Sequence, residues 1–459
     1  MSASAPRQVA YDVLRAVYES DAYANLLLPS AIERARLSTA DAALATELAY
    51  GTLRRSGTYD AVISIAADRP LQDIDPAVVD ALRLGVHQLL STRVASHAAV
   101  HESVELVRGL GRGATGFVNA VLRRVSRDTP GDWMTRVEQS ARSDDERLGL
   151  VYSHPVWVVR AFRRALAAEV RADELEALLI ADNASPRVTM VALPGLADVP
   201  ADARHTPYSP LGFRLGGGDP ESLVSGSEGR VRVQDEGSQL AALALTRAEP
   251  VRPGERWLDL CAGPGGKTAV LAAEALAGGA LLEANEISPA RAGLVRRAVE
   301  GVPLDVPVSE LDGLVRAAAS PGVYDRILVD APCTGLGALR RRPEARWRKS
   351  PADVPSLTDL QTQLLTAAIV AVRPGGIVAY VTCSPHLAET AGVVAEVRRA
   401  FGAAVEELDA RAVVGSIATT DPRLPEQSDG SLRAQLWPHR HNTDAMSISL
   451  LRRVDPVAS

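Results

Sequence analysis

The sequence predicts a multidomain chain: an all-α N-terminal bundle, a small mixed α/β linking domain, and a C-terminal α/β domain built on a parallel sheet. Three observations carry that expectation. At 459 residues the chain is longer than one hydrophobic core supports. Residues 7–128 place apolar side chains at three- and four-residue spacing, the period of helices that each bury one face. From about Arg230 onward, short apolar runs alternate with helical segments, the pattern of a sheet covered on both faces. The expected boundaries are 1–135, 136–229 and 230–456.

In the first segment VAYDVLRAV, ALATELAYGTL, VVDALRLGVHQLL, AVHESVELVRGL and GFVNAVLRRV read as about five helices. Ser38 and Asp75, the latter before Pro76, offer side-chain oxygens to the free N–H groups of a first helical turn. Thr129-Pro130-Gly131 closes the bundle. In the second segment SHPVWVVRAFRRAL and ADELEALLIADN read as helices, RVTMVAL as a strand, and 195–229 as loop. In the third, RWLDLC, ALLEANE, VPVSEL, DRILVDA and GIVAYVTC read as strands. TAVLAAEAL and LTDLQTQLLTAAIVAV read as helices between them. Parallel sheets of this kind take ligands beyond the carboxyl ends of their strands. Chemistry is therefore expected at Cys261, Glu286, Asp330–Cys333 and Thr382–Cys383.

Composition narrows the class. The chain is 46% apolar, yet no run of about 18 uncharged apolar residues suggests a membrane helix. The start, MSASAPRQVAYDVL, lacks the basic and apolar regions of a secretory signal, so cytoplasmic residence is expected. Three cysteines, an odd number, argue against a disulfide framework and for a reducing compartment. Two lysines, Lys267 and Lys349, stand among 50 basic residues, and the first sits in a glycine-rich loop. The net charge of −6 weighs against bulk nucleic-acid binding. A local basic run exists, however: Arg340, Arg341, Arg342, Arg346, Arg348 and Lys349, opposed by Glu344 alone. Such a run is either a solvated loop or a phosphate contact, and its place directly after Cys333 favours RNA. His97 and His101, four apart beside Glu102, lack a third ligand and the HExxH order, so no metal is expected.

Two segments carry most of the information. LDLCAGPGGKT (258–268) follows a strand and opens a helix, with Gly263, Gly265 and Gly266 letting backbone approach a ligand. It is not a P-loop, because Cys261 stands where that motif needs glycine, and it is not G-x-G-x-x-G. A strand-end acid followed by such a turn suits a nucleoside with a sulfonium amino-acid tail. The loop is expected to lie outside the core, so that Gly265→Val weakens ligand binding and leaves the fold cooperative. Glu286 ends the next strand, where an acid can accept both hydroxyls of a ribose. Asp312, in an ELDG turn, is a candidate partner for an adenine amino group. DAPCTGLGALRRRPEARW (330–347) presents Cys333 at the sheet edge, and Cys383 ends GIVAYVTC on a strand expected beside it. Two thiols at adjacent strand ends are a metal pair, a disulfide, buried packing or two catalytic groups. Missing co-ligands and a reducing compartment disfavour the first two.

VQDEGSQLAA (233–242), LDLCAGPGGKT, ILVDAPCTGLGALRRRPEARW and YVTCSPHLAET together resemble the Sun/Fmu-type RNA (cytosine-C5)-methyltransferases of the RsmB/NOP superfamily. LATELAYGTLRR (44–55) and HAAVHESVEL…GFVNAVLRR (97–124) resemble the NusB-type antitermination domain. The resemblance covers nearly the whole chain and implies a Rossmann-like class I methyltransferase domain behind a NusB-like RNA-binding bundle. It implies S-adenosylmethionine as cofactor, held by Cys261, Ala262, Gly263, Pro264, Gly265, Gly266, Lys267, Glu286, Asp312 and Asp330. It implies Cys383 as the nucleophile and small-subunit rRNA as substrate; the covalent chemistry then gives Cys333 a part in release and sets Asp330 toward the base, and a monomeric enzyme is expected. Glu286 stands where Asp is more usual, Asp312 lacks the customary preceding glycine, and TDAMSISLLRR lacks the usual aromatics. Three rivals differ in class. An assembly factor with a vestigial catalytic half would not bind the cofactor. A nicotinamide dehydrogenase would need the absent dinucleotide loop. A DNA methyltransferase would attack with the cysteine of the PC dipeptide, here Cys333.

Overall fold

A computed structural model describes residues 3–20, 22–216 and 220–454. They fall into two compact units. One comprises Met1–Arg160, Leu175–Ser185 and Leu339–Ser350; the other comprises Ala161–Glu174, Pro186–Ala338 and Pro351–Ser459.

The first unit is helical. Its N-terminal part holds Ala5–Glu19, Ala24–Arg34, Thr39–Arg54, Ser56–Ala67, Pro76–Ser91, Ser96–Leu106 and Arg112–Val125. Val13, Leu14, Leu48, Val62, Leu82 and Leu122 meet in one buried core. The expected caps are in place: Ser38 accepts from the N–H of Asp41, and Asp75 from that of Ala77. Two of these helices were not legible. Ala24–Arg34 carries Pro29 in its interior, and Ser56–Ala67 follows its predecessor after Arg55 alone. His97 and His101 lie exposed on Ser96–Leu106, and no metal-holding cluster exists among the described residues.

The second unit contains both sheets. Four short strands, β1 (Met190–Ala192), β2 (Arg204–His205), β3 (Gly212–Arg214) and β4 (Val231–Val233), pair antiparallel in the order β2-β3-β1-β4. The larger sheet uses β5 (Arg256–Asp259), β6 (Leu281–Asn285), β7 (Val308–Ser309), β8 (Tyr324–Asp330), β9 (Val372–Thr382), β10 (Val405–Leu408), β11 (Ala434–Gln435) and β12 (Ser447–Arg453). Its order is β10-β12-β9-β8-β5-β6-β7, with β11 paired to β12. Strands β5 to β9 are parallel, as expected, but β12 runs antiparallel to both β9 and β10. The reason is where the chain enters: Ala445 donates to the carbonyl of Gly337, and Ser447 pairs with Thr382. β12 therefore starts at the carboxyl end of β9 and can only run back.

The segment 136–229, expected as a linking domain, divides between the two units: 136–160 and 175–185 go with the helices, 161–174 and 186–229 with the sheets. Val137 packs with Trp133 in the helical core, whereas Val191, Leu193 and Leu211 pack in the core of the large sheet. VQDEGSQLAA explains the second attachment. Asp235 caps the helix Glu236–Thr246, Glu236 accepts from the N–H groups of Tyr208 and Ser209, and Gln239 donates to the carbonyl of Met190. No helix among the described residues is long and apolar enough to cross a membrane.

Candidate active site

The strand order reverses between β5 and β8, and the crevice at such a reversal is where doubly wound sheets bind ligands. After β5, residues 260–265 turn into the helix Gly266–Gly278. Gly265 has φ +101° and is buried; a Cβ there would stand 2.4 Å from that of Ala298 and 2.9 Å from the Cα of Val295. The turn is thus packed against the helix Pro289–Val299 and does not lie outside the core. Gly265→Val would strain the fold as well as the site. Lys267, on the first turn, crosses to β8 and places Nζ 2.7 Å from Oδ2 of Asp330. Burial pulls the Lys267 ammonium down, but Asp330, together with Cys383 and Asp259, outweighs it and the net shift is upward. Lys267 is therefore a fixed positive charge.

Beneath the turn lies Asp259, the acid that ends β5. It is fully buried; Oδ2 accepts from the Thr268 hydroxyl at 2.7 Å, and Oδ1 has no partner among the described residues. Burial pushes this carboxyl up to about 7. Gln234 is similar: it is buried, its amide is unpartnered among the described residues, and it lies beside Gly266. Buried polar atoms without partners are rare, and around an open turn they suit a polar ligand. Glu286 is nearly buried. Its oxygens accept from the N–H groups of Gly263 and Ser288, each at 3.0 Å, and a carboxylate retains lone pairs beyond those two. Asn285, which the sequence does not single out, donates to the carbonyls of Leu260 and Leu311 and so ties the ends of β5, β6 and the 309–312 turn together. Asp312 is exposed and caps the short helix Gly313–Ala318 through Leu314 N–H.

β8 and β9 are neighbours, with Asp330 paired to Val381. The cysteines that follow them meet: Sγ of Cys333 and Sγ of Cys383 are 3.4 Å apart, both as free thiols. The shared hydrogen bond splits them. As the acceptor, Cys383 is pulled below the ordinary thiol range; as the donor, Cys333 is pushed well above it, and burial adds to that push. Cys261 is also pushed up, by burial. One thiol is therefore biased toward thiolate while its neighbour holds the proton.

The basic run is not one exposed patch, and this corrects the expectation for two of its members. Arg340 and Arg346 are buried. Arg346 donates to the carbonyls of Arg54, Ser153 and Asp182 and to Oδ1 of Asn183. Those carbonyls sit at or just past the C-terminal ends of helices, which need donors. Burial brings its guanidinium down to about 10. Arg348 donates to the carbonyls of Val17 and Ala22 and stacks on Tyr23. Arg341 and Arg342 remain exposed, and Lys349 is half-buried.

A doubly wound sheet with its crevice at the strand reversal, together with its antiparallel β12, defines a class I methyltransferase domain of Rossmann-like fold. The chain matches the family model for the 16S rRNA methyltransferase RsmB/F over residues 247–452 and that of the NusB family over residues 4–127. It is 32% identical over 403 residues to the ribosomal RNA small subunit methyltransferase B of Pseudomonas putida, covering 85% of this chain and 88% of the relative. A Bacillus subtilis protein described as a probable methyltransferase of the same name is 30% identical, covering 99% and 100%. Rv1407 of Mycobacterium tuberculosis, named as a methyltransferase without a stated substrate, is 47% identical over 98% of this chain and 96% of the relative. The crystal structure of PH0851 shares the fold, with a TM-score of 0.78 at 20% identity over 99% of this chain and all of that one. The chain belongs to the RsmB/F family of rRNA methyltransferases.

Proposed function

We propose that this chain transfers a methyl group from S-adenosylmethionine to C5 of a cytosine in small-subunit rRNA, with Cys383 as the nucleophile. The observation that carries the reading is the thiol pair, one member biased to thiolate, beside the Lys267–Asp330 ion pair at the crevice.

The residues around the turn fit the cofactor. Backbone of 261–267 would hold its amino-acid tail, the unpartnered oxygen of Asp259 suits its ammonium, and Glu286 suits the ribose hydroxyls. Asp312 is the candidate for the adenine edge. When bound, the cofactor supplies an electrophilic methyl group.

Cytosine C5 is a poor nucleophile until a thiolate adds to C6, and that addition falls to Cys383. Asp330, kept in place by Lys267, accepts from the amino edge of the base and orients it. Once C5 carries the methyl group, a water in the crevice takes the C5 proton, the released pair re-forms the C5–C6 double bond, and the C6–S bond breaks with its pair returning to Cys383. The S–H of Cys333 stands where the returning thiolate is received, which makes it the proton carrier of release. The base must leave its stack to reach this crevice, which suits single-stranded or looped RNA. The helical unit, with Arg341 and Arg342 exposed, contributes phosphate contacts.

The two cysteines test the reading because they fail differently. Cys383→Ala should be inactive and never cross-link to RNA. Cys333→Ala should accumulate a protein–RNA adduct that survives denaturing electrophoresis and carries labelled methyl. An adduct in Cys383→Ala instead reverses the assignment. No adduct in either variant, with only a modest loss of stability, makes the thiols packing residues.

A further inference from the structure

Glu389 is a fully buried carboxylate that the reaction above does not use, six residues after the nucleophile. It lies in a widened helical turn, Ala388–Gly392, where Gly392 N–H reaches the carbonyl of Leu387. Such π-type turns cluster at functional sites because they re-aim a side chain at the expense of regular bonding. The Tyr380 hydroxyl holds this turn by donating to the Glu389 carbonyl at 2.6 Å.

Its partners all flank the cysteines. Oε1 accepts from the N–H of Thr334 at 2.7 Å and from the Gln361 amide at 3.2 Å. Oε2 accepts from the hydroxyls of Thr334 at 2.5 Å and Ser384 at 2.6 Å. Gln361 also donates to the carbonyl of Pro332 at 2.8 Å. Both neighbours of Cys333 and the residue after Cys383 are therefore gathered on one carboxylate and one amide. Charge-assisted bonds of this kind, with all partners buried, set geometry strongly.

We propose that Glu389 is a positioning residue that fixes the separation of the two thiols by tying the loops after β8 and β9 to one carboxylate. This rests on the reading of Cys383 as nucleophile and Cys333 as its partner in release. The negative charge has a second consequence. It adds to burial and to the hydrogen bond toward Cys383 in keeping Cys333 protonated. The clamp thus supports both the spacing of the pair and the division of labour within it.

The test uses the full chain and dibromobimane, which becomes fluorescent when it bridges two neighbouring thiols; Cys333→Ser defines the background. Compared with Glu389→Gln, which lacks the charge as well and so shares any change in Cys333 ionisation, bridging in Glu389→Ala should slow about tenfold as the hydrogen bonds are lost. Methyl transfer should fall about 100-fold in kcat, the scale of a misplaced reacting group, with KM for RNA unchanged. Glu389→Gln should restore bridging, because its oxygen can accept from Thr334 N–H while its amide donates to the two hydroxyls. A folded Glu389→Ala chain that bridges as fast as Glu389→Gln overturns the proposal. Should that variant not fold, Ser384→Ala deletes a single oxygen and carries the test: slower bridging supports the clamp and an unchanged rate overturns it. Bridging needs neither RNA nor cofactor. A clamp-dependent bridge in a chain that methylates no cytosine would support the clamp and refute the reading of the function.

Discussion

Asp259→Asn should trade cofactor affinity for stability, and the trade should depend on pH with a definite sign. The carboxyl is fully buried, with one oxygen on Thr268 and the other unpartnered among the described residues. Burial raises it from 3.8 to about 7. A carboxyl raised in the folded state binds more protons there than in the unfolded chain between those values. Stability is thus lost as pH climbs through that window, and the loss is complete above about 7. Each unit corresponds to about 1.4 kcal/mol, so from about pH 4.5 to pH 8 the charged form costs about 3 kcal/mol. Asparagine keeps the acceptor for Thr268 and cannot ionise. Its N–H replaces the unpartnered oxygen at a cost of about 1–3 kcal/mol, the same at every pH. The robust quantity is therefore the change with pH of the difference between variant and wild type. Melting of the two proteins across that range should show the variant gaining roughly 5 °C on wild type from the acid to the alkaline end. Titration with S-adenosylmethionine at pH 8 should show weaker binding by the variant, because the cofactor ammonium loses its anion. A stability difference that does not move with pH would refute the burial argument.

Other expectations follow from single contacts. Removing the S–H donor in Cys333→Ala should raise the Cys383 thiol, so its alkylation profile, read by mass spectrometry, should shift to higher pH; an unmoved profile would mean the sulfurs do not share a proton. Arg346→Ala strands the carbonyls of Arg54, Ser153 and Asp182, and should lower the stability of the helical unit by about 3 kcal/mol, measured by urea unfolding. Arg341→Ala with Arg342→Ala removes the stacking of Arg342 on Tyr23, should cost about 1 kcal/mol of stability, well below the Arg346 change, and should flatten the salt dependence of RNA binding by about one log–log unit per lost phosphate contact. Gly265→Val should lower melting temperature as well as cofactor affinity, since its Cβ meets the backbone of Val295; a fully stable variant would place the turn outside the core after all.

Local pattern determined much of this protein. Helical spacing, caps at Ser38 and Asp75, and the alternation after Arg230 specify which elements form, because each depends on residues within a few positions. The crevice followed from topology: parallel strands direct their carboxyl ends to one edge, so Cys261, Glu286, Asp330, Cys333 and Cys383 had to share it. Tertiary structure alone decided what required distant partners. Arg346 reads as a solvated charge until helix ends from Arg54, Ser153 and Asp182 converge on it. Asn285 and Glu389 read as ordinary strand-end and helix residues until loops separated in sequence bring their donors. The direction of β12 hung on a bond between Ala445 and Gly337. In each case the deciding force is the need of a buried polar group for a partner. The sequence states that need, but only the fold supplies the partner.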